Sequence, residues 1–429
     1  MRKVLIITYY WPPSGGAGVQ RWLKFAKYLR TFGWEPVIYT PENPEFPSLD
    51  ESLSQDIPDG IEIIKTPIRE PYRYYKKLVG AGKNERINAA FLSEKKRPGM
   101  AEKFSIWLRG NFFIPDARMM WIKPSVKYLT NYLKTHQIDA MVSTGPPHSM
   151  HMIALGVKRE TGLPWLADFR DPWTNIDFYH ELMLTPRADR KHHRQELSVL
   201  KSADEVVVIS RSMKTDFLKI HERNYTVITN GFDQEDVADI HVMPDKKFSI
   251  SHIGTMVKTR NPLALWQALR KLLEVLPGFA ADLEIKLVGS VDYSVTHAIE
   301  QAGLAPYCNR LPYLPHHEVL KVQQQSQVLL LLINDTPNAK VILPGKFFEY
   351  MAAKRPILCI GPLDGDAATV ILETKAGIVI EKNNRQGMED AIGKLYRKFK
   401  NGELHMHSTS IEKYSRRFLT EKPLNAWTR

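Results

Sequence analysis

Short apolar runs alternate with amphipathic segments of helical length along nearly the whole chain, and this alternation restricts the fold more than any other feature. The runs are rich in Val and Ile and lack polar alternation, which is typical of strands covered on both faces. We predict strands at residues 3–9, 35–40, 61–66, 140–144, 164–169, 205–210, 225–230, 248–255, 283–290, 327–334, 356–361 and 376–382. Such a series predicts parallel βαβ units and a doubly wound α/β fold.

A polar stretch at residues 232–247 interrupts this alternation, which restarts after it. A chain of 429 residues also exceeds one ordinary hydrophobic core. We therefore predict two Rossmann-like domains, of residues 1–238 and 239–404, with a C-terminal helix at about 405–429 that joins the first domain. Residues 69–120 are rich in basic and aromatic residues and in Pro, and we interpret them as an insertion in the first domain.

The formal net charge of +12 favours anionic partners such as nucleotides, nucleic acid or an anionic membrane surface. No recognisable nucleic-acid motif is present, so a nucleic-acid-binding module is the weakest alternative and we expect no nucleic-acid partner. Cys308 and Cys359 lie far apart without the spacing of metal ligands, which is typical of structural thiols in a reducing cytoplasm. The sequence contains no run of about 18 apolar residues, so no transmembrane helix is predicted.

The segment LPGKFFEYMAAKRP, Leu343–Pro356, predicts a short helix that begins with Pro-Gly-Lys just before a buried strand. Pro suits the first helical turn, and the free N–H groups that follow form an anion site together with the helix dipole. Lys346 adds a positive charge there, and Glu349 lies about one turn further on. This arrangement suits a nucleotide, with phosphates at the helix start and sugar hydroxyls on the carboxylate. An ordinary surface helix is the alternative.

Loops that follow the predicted strands are the other candidate binding sites, because ligands of open α/β sheets bind at the carboxyl ends of strands. Gly254 and Thr255 follow the strand at 248–255, and Arg260 precedes the next helix, where it could hold a diphosphate with two donors. Gly15 and Gly16 follow the first strand and precede a helix, so their backbone can approach an anion closely. A simple tight turn is the alternative for these glycines.

Two further loops in the first half carry polar side chains. His148 follows the strand at 140–144, where contact with a substrate or helix capping is favoured over zinc binding. Asp168, Arg170 and Asp171 cluster in the sequence DFRDPWT at the end of another strand. Three charges at this place predict a functional role, and a structural Asp–Arg pair is the alternative.

Taken together and in order, the motifs resemble those of the GT-B glycosyltransferases, and within them glycosyltransferase family 4. The matching segments are PPSGGAG, IPDARMMW, DFRDPWT, NGFD, GT…RNP and PGKFFEYMAAKRPIL, which spread over nearly the whole chain. The last is similar to a pattern of bacterial polysaccharide-building members. The resemblance implies two Rossmann-like domains that face each other across a cleft.

The same resemblance implies retaining transfer of a sugar from a nucleotide-sugar donor to an acceptor hydroxyl, in cell-surface polysaccharide or glycolipid assembly. Glu349 would bond the nucleotide ribose, and Lys346 and Arg260 would stabilise the diphosphate leaving group. Asp168 stands where the first domain of such enzymes offers a catalytic group. The implied donor site comprises Gly15, Gly16, Gly254, Thr255, Arg260, Gly345, Lys346 and Glu349, and the acceptor side comprises His148, Arg170 and Asp171.

One departure from the family pattern concerns the donor sugar. Many members carry a second Glu eight residues before the ribose Glu, and this chain has Val341 there. The sugar could instead be held by backbone N–H groups of residues 342–345. We predict no Asp-x-Asp metal motif, and the resemblance implies no cofactor and no essential metal, because the helix dipole and basic side chains can supply the charge stabilisation. A related sugar-nucleotide 2-epimerase, which would need carboxylates for acid–base chemistry, is the alternative activity.

The acceptor is expected to be a saccharide or a lipid-linked saccharide. Basic and aromatic residues concentrate at 72–77, 94–98 and 104–115, and such residues favour an anionic bilayer surface. With the two structural thiols we expect a cytoplasmic protein, and from the basic and aromatic residues we hypothesise a peripheral position at the inner face of the cell membrane. The alternative is that the aromatic side chains pack inside and the charges are only solvated.

Overall fold

The computed structural model describes residues 1–46, 49–70, 100–176, 179–238, 240–406 and 408–427. They form two compact units, of which the first is Met1–Thr229 with Leu419–Arg429 and the second is Asn230–Phe418. Residues 230–238, which the sequence analysis assigns to the first domain, belong to the second unit. The chain therefore crosses between the units twice.

The first unit contains a parallel sheet of seven strands in the order β3-β2-β1-β4-β5-β6-β7. Its strands are β1 (Arg2–Ile7), β2 (Trp34–Pro41), β3 (Glu62–Thr66), β4 (Ala140–Gly145), β5 (Trp165–Phe169), β6 (Glu205–Val208) and β7 (Thr226–Val227). Its helices are α1 (Ala17–Leu29), α2 (Met100–Phe112), α3 (Met119–Tyr132), α4 (Ser149–Thr161), α5 (Pro186–Ser202) and α6 (Arg211–Ile220).

The second unit contains a parallel sheet of six strands in the order β10-β9-β8-β11-β12-β13. Its strands are β8 (Phe248–Ile253), β9 (Leu283–Val288), β10 (Cys308–Leu311), β11 (Val328–Leu332), β12 (Ile357–Ile360) and β13 (Gly377–Ile380). Its helices are α7 (Glu235–Ala238), α8 (Leu263–Val275), α9 (Phe279–Asp282), α10 (Tyr293–Gln301), α11 (His316–Gln325), α12 (Gly345–Ala352), α13 (Asp366–Thr374) and α14 (Arg385–Lys400). Helix α15 (Arg416–Trp427) begins in the second unit and continues into the first.

The central strands of both sheets are buried on both faces, which explains the uninterrupted apolar runs of the sequence. In β1, Leu5 and Ile7 belong to one hydrophobic cluster, whereas Val4 and Ile6 belong to another on the opposite face. Since successive side chains of a strand point to opposite faces, a strand with helices on both sides needs apolar residues at every position. The predicted doubly wound α/β class is confirmed.

Two strands differ from the prediction. The edge strand β10 was missed because its sequence, CNRL, is short and polar and its middle residues are exposed. Strand β7 has only two residues in place of the six predicted at 225–230. Edge strands bury less surface than central ones, so their sequences carry a weaker apolar signal.

The order of the strands locates the candidate binding edges. In the first sheet the chain reverses its direction of winding between β1 and β4, and in the second sheet it does so between β8 and β11. Ligands of open α/β sheets bind outside the carboxyl ends of the strands at such switch points. The loops after β1 and β4, and those after β8 and β11, are therefore the candidate ligand-binding loops.

Within the described ranges, no helix is both long and apolar enough to cross a membrane. The predicted insertion at 69–120 is described only in part, because residues 71–99 lie outside the described residues.

Candidate functional site

Lys346 lies in the first turn of α12, and its ammonium is fixed by two acceptors. Its Nζ atom lies 3.2 Å from Nε2 of His252 and donates to the carbonyl of Ile253 at 2.9 Å. Burial and the nearby charge of Arg260 lower the pKa of Lys346 well below its usual value, against the opposing effect of Glu349. Among the described residues no carboxylate forms an ion pair with this Nζ atom, and a bound anion would favour its charged form.

Two glycines allow the loops after β8 and β9 to approach each other closely beside Lys346. Gly254, directly after β8, has φ 109°, and a Cβ atom there would lie 3.7 Å from Nζ of Lys346. Gly289, after β9, has φ 106°, and its Cβ would lie 3.3 Å from the carbonyl of Gly254. Because such φ values strain any residue with a side chain, glycine is required for this close approach of two loops.

Arg260 lies at the switch point between β8 and β11. Its Nη1 donates to the carbonyl of Thr255 at 2.9 Å, and its Nε donates to Oδ1 of Asn334, just after β11. These two contacts fix the plane of the guanidinium at the carboxyl edge of the sheet. A fixed, planar, permanently charged group is well suited to a diphosphate.

Glu349 is held by two side chains of α11. Nε2 of His316 lies 3.2 Å from one carboxylate oxygen, and Nε2 of Gln323 donates to the other at 3.1 Å. Burial raises the pKa of Glu349, but the hydrogen bonds and charge of His316 and the contact with Gln323 outweigh it, so the net shift is downward. A carboxylate has about four acceptor positions, so these contacts leave capacity for the hydroxyl groups of a ligand.

Helix α12 begins without a side-chain cap. Its N-cap is Pro344, which makes no capping hydrogen bond, and Gly345 is the first helical residue. The first N–H groups of a helix have no intrahelical partner and carry the positive end of the dipole. The second unit therefore brings Gly254, Thr255, Arg260, Gly345, Lys346 and Glu349 together, all of which the sequence analysis assigned to donor binding.

The glycine loop of the first unit opens helix α1. Gly15 is buried, whereas Gly16 is exposed, has φ 92° and is the N-cap of α1 without a side-chain cap. Gly18, one residue inside the helix, lets the guanidinium of Arg170 approach, since a Cβ there would lie 3.0 Å from its Nη1. The contact of Gly15 and Gly16 with a diphosphate stays a prediction.

Asp168 is fully buried, and both of its carboxylate oxygens accept hydrogen bonds. Arg21 of α1 donates through Nε and through Nη2, the latter at 2.7 Å, Nε1 of Trp22 donates at 2.7 Å, and Oγ1 of Thr144 donates at 2.9 Å. Burial raises the pKa of Asp168, but the charge of Arg21 and the hydrogen bonds from Arg21 and Trp22 lower it by more, so the net shift is downward. This geometry suits a structural anchor, and the predicted catalytic role of Asp168 stays a prediction.

Arg170 connects three loops of the first unit. Its Nη1 donates to the carbonyl of Gly18 at 2.7 Å, its Nη2 donates to the carbonyl of Pro146, and its backbone N–H donates to Gly145. The loops after β1, β4 and β5 are thereby tied together. Asp171, beside it, is exposed, so of these two predicted acceptor-side residues only Asp171 presents its side chain to solvent.

His148 and His151 are buried histidines with low basicity. The ring of His148 stacks on Trp173 at 4.5 Å with an interplanar angle of 3°. Burial, followed by the charge of His151, lowers the pKa of His148 well below its usual value, and burial lowers the pKa of His151 to about 3. Both rings are neutral at physiological pH. Any hydrogen bond between His148 and the acceptor substrate would therefore involve an uncharged ring.

Several residues that position these loops escaped the sequence analysis. Asp116, in the stretch IPDAR, accepts from the backbone N–H and the hydroxyl of Ser149, both at 2.8 Å, and so caps α4. His252 and Gln323 are the others. His252 could have been identified from the sequence, because it is a polar residue within the apolar strand FSISHIG.

The prediction that the chain has no Asp-x-Asp motif is wrong, because residues 364–366 form one such triplet. Asp364 forms an ion pair with Lys340, and Asp366 is buried in the first turn of α13. The side chain of Asp364 is thus ion-paired and that of Asp366 is covered. That the protein needs no metal stays a prediction.

No protein-family model and no curated protein matches the sequence. Solved structures match it over the whole chain. A glycosyltransferase from Rickettsia africae ESF-5 has a TM-score of 0.63 and 16% identity and covers 100% of this chain and 98% of its own. The Anabaena protein Alr3699/HepE, in complex with UDP-glucose, has a TM-score of 0.60 and 11% identity, with 100% of both chains covered.

A third match is WaaG, a glycosyltransferase involved in lipopolysaccharide biosynthesis, with a TM-score of 0.57, 14% identity and 99% of both chains covered. Identities this low establish the fold and leave the activity open. The two parallel sheets with their helices agree with a two-domain α/β fold of this kind. The chain therefore has the two-domain GT-B fold, as the resemblance implied.

Proposed function

We propose that this protein is a retaining glycosyltransferase, which transfers a sugar from a nucleotide-sugar to an acceptor hydroxyl. The observation that carries the proposal is the clustering of Arg260, Lys346 and Glu349 with the two close-packed glycines at the carboxyl edge of the second sheet. On this fold the Anabaena protein is bound to UDP-glucose. That ligand contains the ribose and diphosphate that these side chains suit.

In the proposed complex the diphosphate lies at the start of α12, between Lys346 and Arg260. The ribose hydroxyls donate to Glu349, whose lowered pKa keeps it an acceptor at neutral pH. Negative charge grows on the diphosphate as the bond to the sugar breaks. Positive groups held in place before this step stabilise the transition state without reorganisation, which is why no essential metal is proposed.

The donor sugar is proposed to contact backbone N–H groups of residues 342–345. Val341, in a 3-10 turn that spans Ala339–Val341, offers no carboxylate for the sugar hydroxyls. The acceptor is proposed to be a saccharide or lipid-linked saccharide in cell-surface polysaccharide or glycolipid assembly. His148 and Asp171 of the first unit are the proposed acceptor contacts.

A binding panel tests the proposal. UDP, GDP, ADP, CMP and their sugar conjugates should be compared by thermal shift, and one family of ligands should stabilise the full chain. A ligand present at a hundred times its Kd adds about 2.7 kcal/mol to the free energy of unfolding. Stabilisation by none of them would contradict the proposal. A hydrolysing 2-epimerase would release the nucleoside diphosphate and a C2-inverted free sugar without an acceptor, whereas a retaining transferase yields a glycoside with the anomeric configuration of the donor.

Glu349→Gln should weaken binding of the nucleotide found in that panel by about 1.5–3 kcal/mol, the value of hydrogen bonds to a charged group. The amide also places N–H donors opposite the donors of His316 or Gln323. Titration calorimetry measures the effect, and the melting temperature checks the fold. Glu274→Gln, at an exposed position of α8, is the matched control. Equal affinity of Glu349→Gln and wild type would remove Glu349 from the ribose site.

Peripheral membrane association is proposed for the first unit. In α2 the rings of Phe104 and Trp107 stack at 5.9 Å, and those of Trp107 and Phe112 meet at 5.8 Å. Phe104 is 62% exposed and Phe112 is 60% exposed. Exposed aromatic rings beside basic residues favour the headgroup region of an anionic bilayer. The basic stretches 72–77 and 94–98 lie outside the described residues.

Co-sedimentation with liposomes measures this association. Binding should require anionic lipid, decrease with salt, and decrease in Phe104→Ala/Phe112→Ala. A variant with Lys76, Lys77, Lys95 and Lys96 changed to Glu should lose it, since each basic residue contributes about 1 kcal/mol near an anionic surface. Met243→Ala, which removes an exposed apolar side chain of the second unit, is the control. Absence of binding to both anionic and neutral liposomes would contradict the membrane association and favour a soluble acceptor.

A further inference from the structure

His252 is a buried polar side chain in β8 that the proposed donor contacts leave without a role. It is 1% exposed, and both of its ring nitrogens have partners. Nδ1 lies 3.1 Å from the carbonyl oxygen of Leu330 in β11, and Nε2 lies 3.2 Å from Nζ of Lys346. The ring therefore bridges the two strands of the switch point and the first turn of α12.

These partners determine the tautomer of the ring. A carbonyl oxygen can only accept, so Nδ1 must carry the proton that it donates to Leu330. Nε2 is then unprotonated and accepts from Lys346. Burial first, and the charge of Lys346 second, lower the pKa of His252 well below its usual value, which agrees with this arrangement.

The same partners restrict the ammonium of Lys346. A lysine ammonium has three N–H donors. Two are directed to Nε2 of His252 and to the carbonyl of Ile253. Because the ammonium is tetrahedral, these two contacts fix the direction of the third donor. The other charged groups that act on Lys346 are Arg260, which repels it, and Glu349, which attracts it.

We propose that His252 is a positioning residue, which orients the Lys346 ammonium so that its third N–H donor meets the diphosphate of a bound nucleotide-sugar. The inference rests on the proposed function, because it assigns a role in diphosphate binding. It assigns no contact between His252 and the ligand. The effect of removing His252 must therefore pass through Lys346.

Two substitutions separate the contacts of the ring. In His252→Asn the amide can keep the donor to Leu330 but does not extend to Lys346. In His252→Gln the longer side chain can offer its carbonyl oxygen where Nε2 lies. His252→Phe keeps a ring and removes the acceptor, and it replaces the Asn variant if that one does not fold.

Calorimetry with UDP, GDP and ADP on the wild-type full chain selects the nucleoside diphosphate that binds, and the corresponding nucleoside serves as the ligand without phosphates. We expect His252→Asn to bind the diphosphate roughly tenfold or more weakly, the loss of one charge-assisted contact. Binding of the nucleoside should not change, and His252→Gln should restore most of the affinity. In a Lys346→Met background, His252→Asn should have no further effect.

A merely structural role would reduce nucleoside and diphosphate binding alike, and its effect would persist in the Lys346→Met background. Either result would overturn the inference, as would wild-type diphosphate affinity in His252→Asn. A wild-type protein that binds none of the three diphosphates would overturn the proposed function, and this inference with it. The two failures are distinguishable because only the second is seen without any substitution.

Discussion

Asp168→Ala should lower the free energy of unfolding by about 3–5 kcal/mol, the usual cost of leaving a buried charge without its partner. The guanidinium of Arg21, 1% exposed, would lose its 2.7 Å contact with the carboxylate. The donors of Trp22 and Thr144 would lose their acceptor as well. Urea denaturation followed by tryptophan fluorescence measures the change, with the two units treated as separate transitions where they appear.

The pH dependence of this stabilisation has a definite sign. The pKa of Asp168 is lower in the folded chain than its ordinary value of about 3.9. Its contribution is therefore fully present above the ordinary pKa and is lost as pH falls through the folded-state pKa. The difference in unfolding free energy between wild type and Asp168→Ala should be constant near neutral pH and shrink only in strong acid.

Asp168→Asn separates the structural role from the catalytic role predicted from the sequence. If the role of Asp168 is structural, the Asp168→Asn protein is less stable, and the fraction that stays folded still converts its substrate. The matched control is Asp171→Asn, an exposed carboxylate in the same loop, which should leave stability nearly unchanged. An Asp168→Asn protein of wild-type stability without turnover would reinstate the catalytic assignment.

Arg260→Ala should reduce kcat by roughly 10²–10³, the effect of removing one preorganised donor from a developing charge. Ground-state binding of the nucleotide-sugar should fall less, since the charge on the leaving group grows only as the bond breaks. Arg260→Lys should also be costly, because an ammonium cannot hold both Thr255 and Asn334 while it faces a diphosphate. Steady-state and single-turnover assays with the donor found in the panel measure both effects.

Lys258→Ala is the control for position and charge, because this exposed lysine lies in the same 3-10 turn as Arg260. It should change kcat little. Near-wild-type turnover of Arg260→Ala would remove Arg260 from the site. A loss of turnover that is as large in Lys258→Ala would indicate a general effect of charge at this edge of the sheet.

The sequence predicted the sheets and identified the residues that cluster at the candidate site of the second unit, because these signals are local. Gly254, Lys346 and Glu349 each lie beside a recognisable strand end or helix start, and strand order brings such ends to one edge. The burial of Asp168 could not be predicted in this way. It depends on Arg21, which is distant in the sequence and reaches β5 only once α1 has packed on the sheet. The link of His252 to Lys346 depends likewise on two elements meeting in space.

The return of the chain to the first unit at Leu419 affects how the protein folds during synthesis. Leu419 is 1% exposed and belongs to the same hydrophobic cluster as Val4 and Trp22. The first core is therefore incomplete until residues 230–418 have been translated, which takes about 10–40 s at roughly 5–20 residues per second. During that interval the apolar side chains around Val4 lack their contact with Leu419. The second unit is contiguous in the sequence and can fold as soon as it leaves the ribosome.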